Sequence, residues 1–187
     1  MLNHFSIPKD SFNGPVLITG AGGCIGAWTT AMLLKANIEV IAFDLTSNKR
    51  RPELLISHEK LSKVPWVEGD ISNTETVIST IEKYKPESII HLAALQVPFC
   101  AADPTTGAKV NVVGTVNIME AARQNSIKRI SHASSMAAHS FIPGSDSLKT
   151  LYGAYKMCDE QISEVYWQDH KVPSVCLRPA IVNGVGR

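Results

Sequence analysis

"PVLITGAGGCIG", residues 15–26, decides the fold of this 187-residue chain. Pro15 to Thr19 form a short apolar run of the kind that makes a strand buried on both faces. Glycines crowd the following positions, and a helix is expected from about Gly23 to Ala36. A strand that enters a helix through glycines lets the backbone approach an anion. Glycine permits the tight turn, and the first helical turn offers N–H groups with no intrahelical partner. The spacing GxGxxG would need glycine at 20, 22 and 25, and position 25 is Ile. The related spacing TGxxGxxG fits Gly20, Gly23 and Gly26. One such glycine serves the turn, one the approach to a pyrophosphate, and one close helix–strand packing. A glycine-rich turn without a ligand is the alternative; the place of the loop between strand and helix favours phosphate.

The same rhythm continues along the chain. Apolar runs at Glu39–Asp44, Val64–Asp70, Ser88–Ala94, Arg129–Ser135 and Ser174–Pro179 read as five further strands. Between them, Thr74–Lys83 reads as a helix with Val77, Ile78 and Ile81 on one face. A long helix over Thr105–Asn125 presents Val110, Gly114, Asn117, Ile118 and Ala121, and another over Leu151–His170 presents Cys158, Ile162 and Val165. Strands alternating with helices imply an α/β fold, a doubly wound parallel sheet covered on both faces. The expected strand order is 3-2-1-4-5-6, with ligands bound at the carboxyl ends of the strands where the order reverses, between strands one and four. Residues 1–14 read as an N-terminal extension and 15–187 as a dinucleotide-binding domain.

Bulk properties narrow the partners. An apolar content of 44% supplies a core, and a net charge of +1 gives no reason to expect nucleic acid or an acidic membrane. Lys49-Arg50-Arg51 beside Pro52 reads as a solvated loop. Four scattered cysteines without a CxxC pair read as reduced thiols, and six histidines lack HExxH spacing, so neither disulfides nor a metal site is expected. The first fifteen residues lack the apolar run of a signal peptide, and no stretch approaches membrane-spanning length. The expectation is a cytoplasmic protein acting on a small molecule.

Asp44 ends the second strand, 18 residues beyond Gly26. A carboxylate there accepts hydrogen bonds from both ribose hydroxyls of an adenosine and repels a 2′-phosphate, which favours NAD over NADP; the nearby Arg50 and Arg51 weaken that preference. Asp70 is placed to meet the adenine or to cap its own loop. Cys24 and Ile25 at the helix start, Ile71 after Asp70, and Leu92, Ala93 and Ala94 at the end of strand four complete the expected cofactor contacts. In "LYGAYK", residues 151–156, Tyr152 and Lys156 are four apart and share a helix face, whereas Tyr155 points about 100° away from Lys156. A free phenol has a pKa near 10 and is a poor base at neutral pH; a nearby ammonium favours the phenolate. Ser134 and Ser135 end strand five at the same sheet edge, where a hydroxyl can bond a substrate oxygen or merely satisfy the loop backbone. Asn111, on the long helix, can hold a water or a lysine, or serve as a packing amide.

Together these residues resemble the extended short-chain dehydrogenase/reductase family, also called the NAD-dependent epimerase/dehydratase family. The matching segments are "TGAGGCIG", Asp44, Gly69-Asp70, "HLAA" at 91–94, "NVVGT" at 111–115, Ser134-Ser135, "YGAYK" at 152–156 and "LRP" at 177–179, in the family's order. The resemblance implies a Rossmann-like fold and NAD as cofactor. It implies Tyr152 as acid/base, Lys156 on the nicotinamide ribose, Ser135 positioning the reacting oxygen, Asn111 as the helix asparagine, and Pro179 opening the segment at the nicotinamide end. It further implies an oxidoreductase or epimerase acting on a sugar, sugar nucleotide or polyol-like alcohol, and a homodimer.

The chain departs from the family pattern at several points. It ends at "RPAIVNGVGR", where the family continues into a C-terminal substrate domain, and Asn183 stands where the family has Tyr. The interval from Ser135 to Tyr152 is short for the family. Met136-Ala137 replaces the acidic pair of sugar-nucleotide dehydratases, which counts against that chemistry. The alternatives are a non-catalytic NAD-binding module and a truncated fragment without turnover.

Overall fold

Val16–Thr19 forms β1, a strand with every residue buried, as its unbroken apolar run requires. The computed structural model describes residues 6–187, so residues 1–5 of the expected N-terminal extension lie outside the described residues. The remaining strands are β2 (Val40–Asp44), β3 (Trp66–Glu68), β4 (Ser88–His91), β5 (Ile130–Ala133) and β6 (Ser174–Leu177). They form one parallel sheet in the order β3-β2-β1-β4-β5-β6, as expected. Val16 lies opposite both Val40 and Ser88, so the order reverses between β1 and β4.

The period of two along each strand splits the core into two layers. Leu17, Ile41, Phe43 and Ile89 face one side, where Val77 and Ile81 of α4 (Thr74–Tyr84) and Ile118 and Ala121 of α7 (Gly114–Gln124) cover them. Val16, Ile18, Val40 and Ala42 face the other side, against Leu33 of α1 (Cys24–Lys35). Short helices fill the connections: α2 (Arg50–Glu53), α3 (His58–Leu61), α5 (Val97–Ala102) and α6 (Pro104–Ala108). Side-chain caps set several helix starts, Asn73 accepting from the Thr76 N–H and Thr150 from the Gly153 N–H.

Three expectations are corrected. The helix expected over 105–125 is continuous but contains a π-helical segment, Lys109–Val113, between α6 and α7. Strand β4 stops at His91, which frees Leu92 to Ala94 to form loop. The third correction concerns α8 (Leu151–His170). Its expected apolar stripe is not its buried face: Val165 is 51% exposed and Cys158 only half-buried, although Ile162 packs against the core. The buried residues of α8 are Gly153, Lys156, Asp159 and Ser163. A polar seam can be buried because it finds partners: Lys156 pairs with Asp159, and Ser163 bonds His132 of β5.

No helix among the described residues is long and apolar enough to cross a membrane.

Candidate functional site

A groove of about 700 Å³ runs across the carboxyl ends of the strands, from the glycine loop at one end to Tyr152, Lys156 and Pro179 at the other. The loop owes its shape to backbone sterics. Gly20 has φ +70°, and a Cβ there would meet the Ala93 nitrogen at 2.8 Å. A Cβ on Gly26 would lie 2.2 Å from the Gly20 carbonyl oxygen, so α1 approaches the loop at a distance only glycine allows. Gly23 caps α1, and Cys24 and Ile25 open it, all three on the groove wall. Asp44 accepts the Gly22 N–H on Oδ2 at 2.8 Å. Among the described residues that is its one hydrogen bond, which leaves Oδ1 available to the groove.

Asp70 also borders the groove, but its Oδ1 accepts both the Ser72 N–H and the Ser72 hydroxyl at 2.8 Å, a loop cap. Ile71 is pinned by the Asn117 amide, which donates to its carbonyl at 2.9 Å. Leu92, Ala93 and Ala94 line the groove floor. They are held by Thr19, whose Oγ1 accepts the N–H groups of Leu92 and Ala93 at 3.1 and 3.2 Å. With both lone pairs engaged, the Thr19 hydroxyl donates to His91 Nδ1 at 2.7 Å. The His91 proton therefore sits on Nε2, which faces Thr115 Oγ1 at 3.3 Å, and Thr115 donates to the Asn111 carbonyl at 2.8 Å. Burial first, and then the charge of Lys156, hold His91 well below the usual imidazole range, so the relay is neutral.

Asn111 is fully buried within the π segment, behind the groove wall. Its amide accepts the Leu95 N–H at 2.7 Å and donates to the Leu95 carbonyl at 3.0 Å. Its partners among the described residues are the loop after β4 and Cys100 Sγ at 3.5 Å, which fits the packing amide among the roles its sequence position allows.

Tyr152 and Lys156 both line the groove, as their spacing on α8 predicts. Tyr155 turns away and donates its hydroxyl proton to the Pro104 carbonyl at 2.9 Å, packing over Gly107. The two serines differ. Ser134 lines the groove, but its hydroxyl donates to Glu160, which also receives Arg178 Nε at 2.7 Å. The Arg178 hydrogen bonds hold the Glu160 carboxyl below its ordinary range. Ser135 is outside the groove lining; it caps the 3₁₀ turn Met136–Phe141 by accepting the Ala137 N–H at 3.1 Å, and among the described residues its own proton has no partner. Pro179 is tied to this turn, its carbonyl accepting the Met136 N–H at 3.2 Å.

Two features were missed in the sequence. Lys49-Arg50-Arg51 is not simply a solvated loop. Arg50 and Arg51 start α2, and Arg51 donates to the carbonyls of Gly186, at 2.6 Å, and Gly22, at 3.4 Å. Trp28 donates to the Val185 carbonyl at 3.0 Å, so residues 185–186 lie against the glycine loop. The other is Asp159, whose Oδ2 lies 3.1 Å from Lys156 Nζ. An acidic residue three positions after Lys156 on one helix face was the available signal.

The family model described as "NAD dependent epimerase/dehydratase family" matches residues 16–187. The chain belongs to this family. Among curated members it is 39% identical over 120 residues to the UDP-glucose 4-epimerase of Mycolicibacterium smegmatis, covering 64% of this chain and 38% of that protein. It is 30% identical over 171 residues to the UDP-glucose 4-epimerase of Rhizobium leguminosarum bv. trifolii, covering 87% and 50%. Among solved structures, the UDP-glucose 4-epimerase of Brucella ovis in complex with NAD superposes with a TM-score of 0.73 at 27% identity, over 88% of this chain and 51% of that one. The L-threonine dehydrogenase of Clostridium difficile does so with a TM-score of 0.75 at 25% identity, over 89% and 53%. The chain thus spans about half or less of the length of these relatives.

Proposed function

We propose that the chain is the cofactor-binding part of an NAD-dependent oxidoreductase or epimerase acting on an alcohol carbon of a sugar, sugar nucleotide or polyol-like compound. One observation carries the reading: Tyr152 and Lys156 share a face of α8 and line one end of a groove whose other end is the glycine loop with Asp44. The residues suit NAD. The cradle at Gly20–Gly26 is one that side chains would fill, the start of α1 presents free N–H groups, and Asp44 keeps one carboxylate oxygen free. In this reading the loop holds the pyrophosphate, Asp44 the adenosine ribose, the Asp70 loop the adenine, and Lys156 the nicotinamide ribose.

When bound, NAD supplies a hydride acceptor. Tyr152 takes the proton of the substrate hydroxyl as general base, and the Lys156 ammonium stabilises the negative charge on the tyrosine oxygen. Ser135, whose proton has no partner among the described residues, donates to the reacting oxygen; Ser134 cannot, because Glu160 takes its proton. Asn111 acts through the Leu95 loop that walls the groove. The segment that grips the substrate lies outside residues 15–187, and pairing of two copies remains part of the proposal.

Calorimetric titration tests the reading: NAD binds with a Kd in the micromolar to millimolar range, and more tightly than NADP. Asp44→Asn weakens NAD by about 10-fold or more, since a hydrogen bond to a charged group is worth about 1.5–3 kcal/mol. Absence of NAD binding, or tighter binding of NADP, sinks the proposal.

A further inference from the structure

Lys156 and Asp159 form a buried ion pair inside α8, with 4% and 0% of their side chains exposed. Among the described residues Asp159 is the one hydrogen-bond partner of Lys156, and the other N–H bonds of the ammonium are left for the groove it lines. The carboxylate is not there to complete a local network. Among the described residues its second oxygen, Oδ1, makes no hydrogen bond. Thr115 lies close enough to favour the charged carboxylate, but its hydroxyl is directed to the Asn111 carbonyl at 2.8 Å. The geometry sets a carboxylate with no exposed side-chain surface against the one ammonium on the groove wall among the described residues. Burial pushes the Asp159 carboxyl up, and Lys156 pulls it back.

We propose that Asp159 is a positioning residue for the Tyr152–Lys156 pair: its carboxylate holds the Lys156 ammonium charged and fixed at the groove wall. The proposal rests on the functional reading above for its consequence, though not for the pairing itself. A buried ammonium without a counter-ion is disfavoured relative to the neutral amine. The other titratable groups around Lys156 do not replace Asp159. His91 and His132, at β4 and β5, are neutral, and burial raises Cys100 of α5 and Cys176 of β6, keeping them as thiols. Glu160 on α8 is committed to Arg178 and Ser134, and Tyr152 on α8 is the group that Lys156 serves.

The test uses Asp159→Asn, Asp159→Glu, Lys156→Met and the double variant Asp159→Asn/Lys156→Met in the full chain, with urea denaturation and NAD calorimetry near pH 6 and near pH 9. Asp159→Asn binds NAD like wild type near pH 6 and about 10-fold or more weaker near pH 9, where the unpaired amine sheds its proton. Asp159→Glu restores binding near pH 9. A loss equal at both pH values, no loss at either, or no rescue by glutamate overturns the proposal. If Asp159→Asn does not fold, the double variant decides. Recovery of folding on removing the unpaired cation upholds the pairing, and failure to recover overturns it. If wild type binds no NAD, the functional reading fails, and the denaturation cycle still judges the pairing. A double variant that loses less than the sum of the single variants upholds it, and strict additivity overturns it.

Discussion

Acidification offers a quantitative test of the polar seam under α8. His132 lies on β5 and is 2% exposed. Its Nε2 is 2.8 Å from Ser163 Oγ, and Ser163 gives its single proton to the Asp159 carbonyl at 2.8 Å. The imidazole therefore donates from Nε2, as a neutral ring. Burial first, and the charge of Lys156 second, lower the His132 pKa from 6.5 to about 4. Unfolded, the ring takes its proton near pH 6.5; folded, it does so only near 4. Between those values the unfolded chain binds more protons, so stability falls as the pH drops from about 6.5 to about 4, with no further loss from this group below. That gap is worth about 3 kcal/mol. Urea unfolding of wild type and His132→Gln at intervals from pH 7 to pH 4 measures it. Glutamine keeps an N–H for Ser163 and does not titrate. His91, lowered by burial, adds acid sensitivity of the same sign, and Asp159, raised by burial, opposes it. Both are present in both proteins; Asp159 cancels in the difference, and His91 does so apart from the smallest cause of its shift, its coupling to His132. Wild type should lose about 3 kcal/mol more than the variant across this window. Equal losses in the two proteins would refute the burial argument.

Two further outcomes follow from the groove. Gly26→Ala should lower the melting temperature by several degrees and abolish NAD binding. Alanine gains about 1 kcal/mol of helix propensity, but its Cβ would sit 2.2 Å from the Gly20 oxygen, and such overpacking costs about 1–3 kcal/mol or more. An unchanged or raised melting temperature contradicts this account. Tyr155→Phe should cost about 1 kcal/mol or less, from its bond to the Pro104 carbonyl, and spare hydride transfer, whereas Tyr152→Phe should abolish transfer and leave the fold intact. Nicotinamide absorbance with the complete protein and an accepted alcohol reads the difference, and equal loss in both variants would contradict the assignment of the base.

The parts of the site made by backbone were legible in the sequence because their constraints are local. Gly20 is demanded by its own φ of +70° and Gly26 by its contact with the Gly20 carbonyl, both within a single strand–loop–helix unit, and the spacing of Tyr152 and Lys156 within one helical turn selects the tyrosine that reaches the groove. The parts made by buried polar side chains were not legible, because their partners are remote. Thr19 bonds His91 across 72 residues, Ser163 bonds His132 across 31, and Ser134 bonds Glu160 across 26. Hydrophobic periodicity scores such residues as surface, and on α8 it therefore pointed to Val165 when the buried seam was Lys156, Asp159 and Ser163. The partner of Asn111 was hidden for the same reason: the Leu95 backbone is a loop whose path depends on where β4 stops. The error has a physical pattern. A helix beneath a cofactor groove must bring charge to the groove from inside the protein, so its buried face is polar wherever its chemistry lies. At about 100° per residue Val165 sits about 180° from Lys156, so a face that buries Lys156 turns Val165 outward.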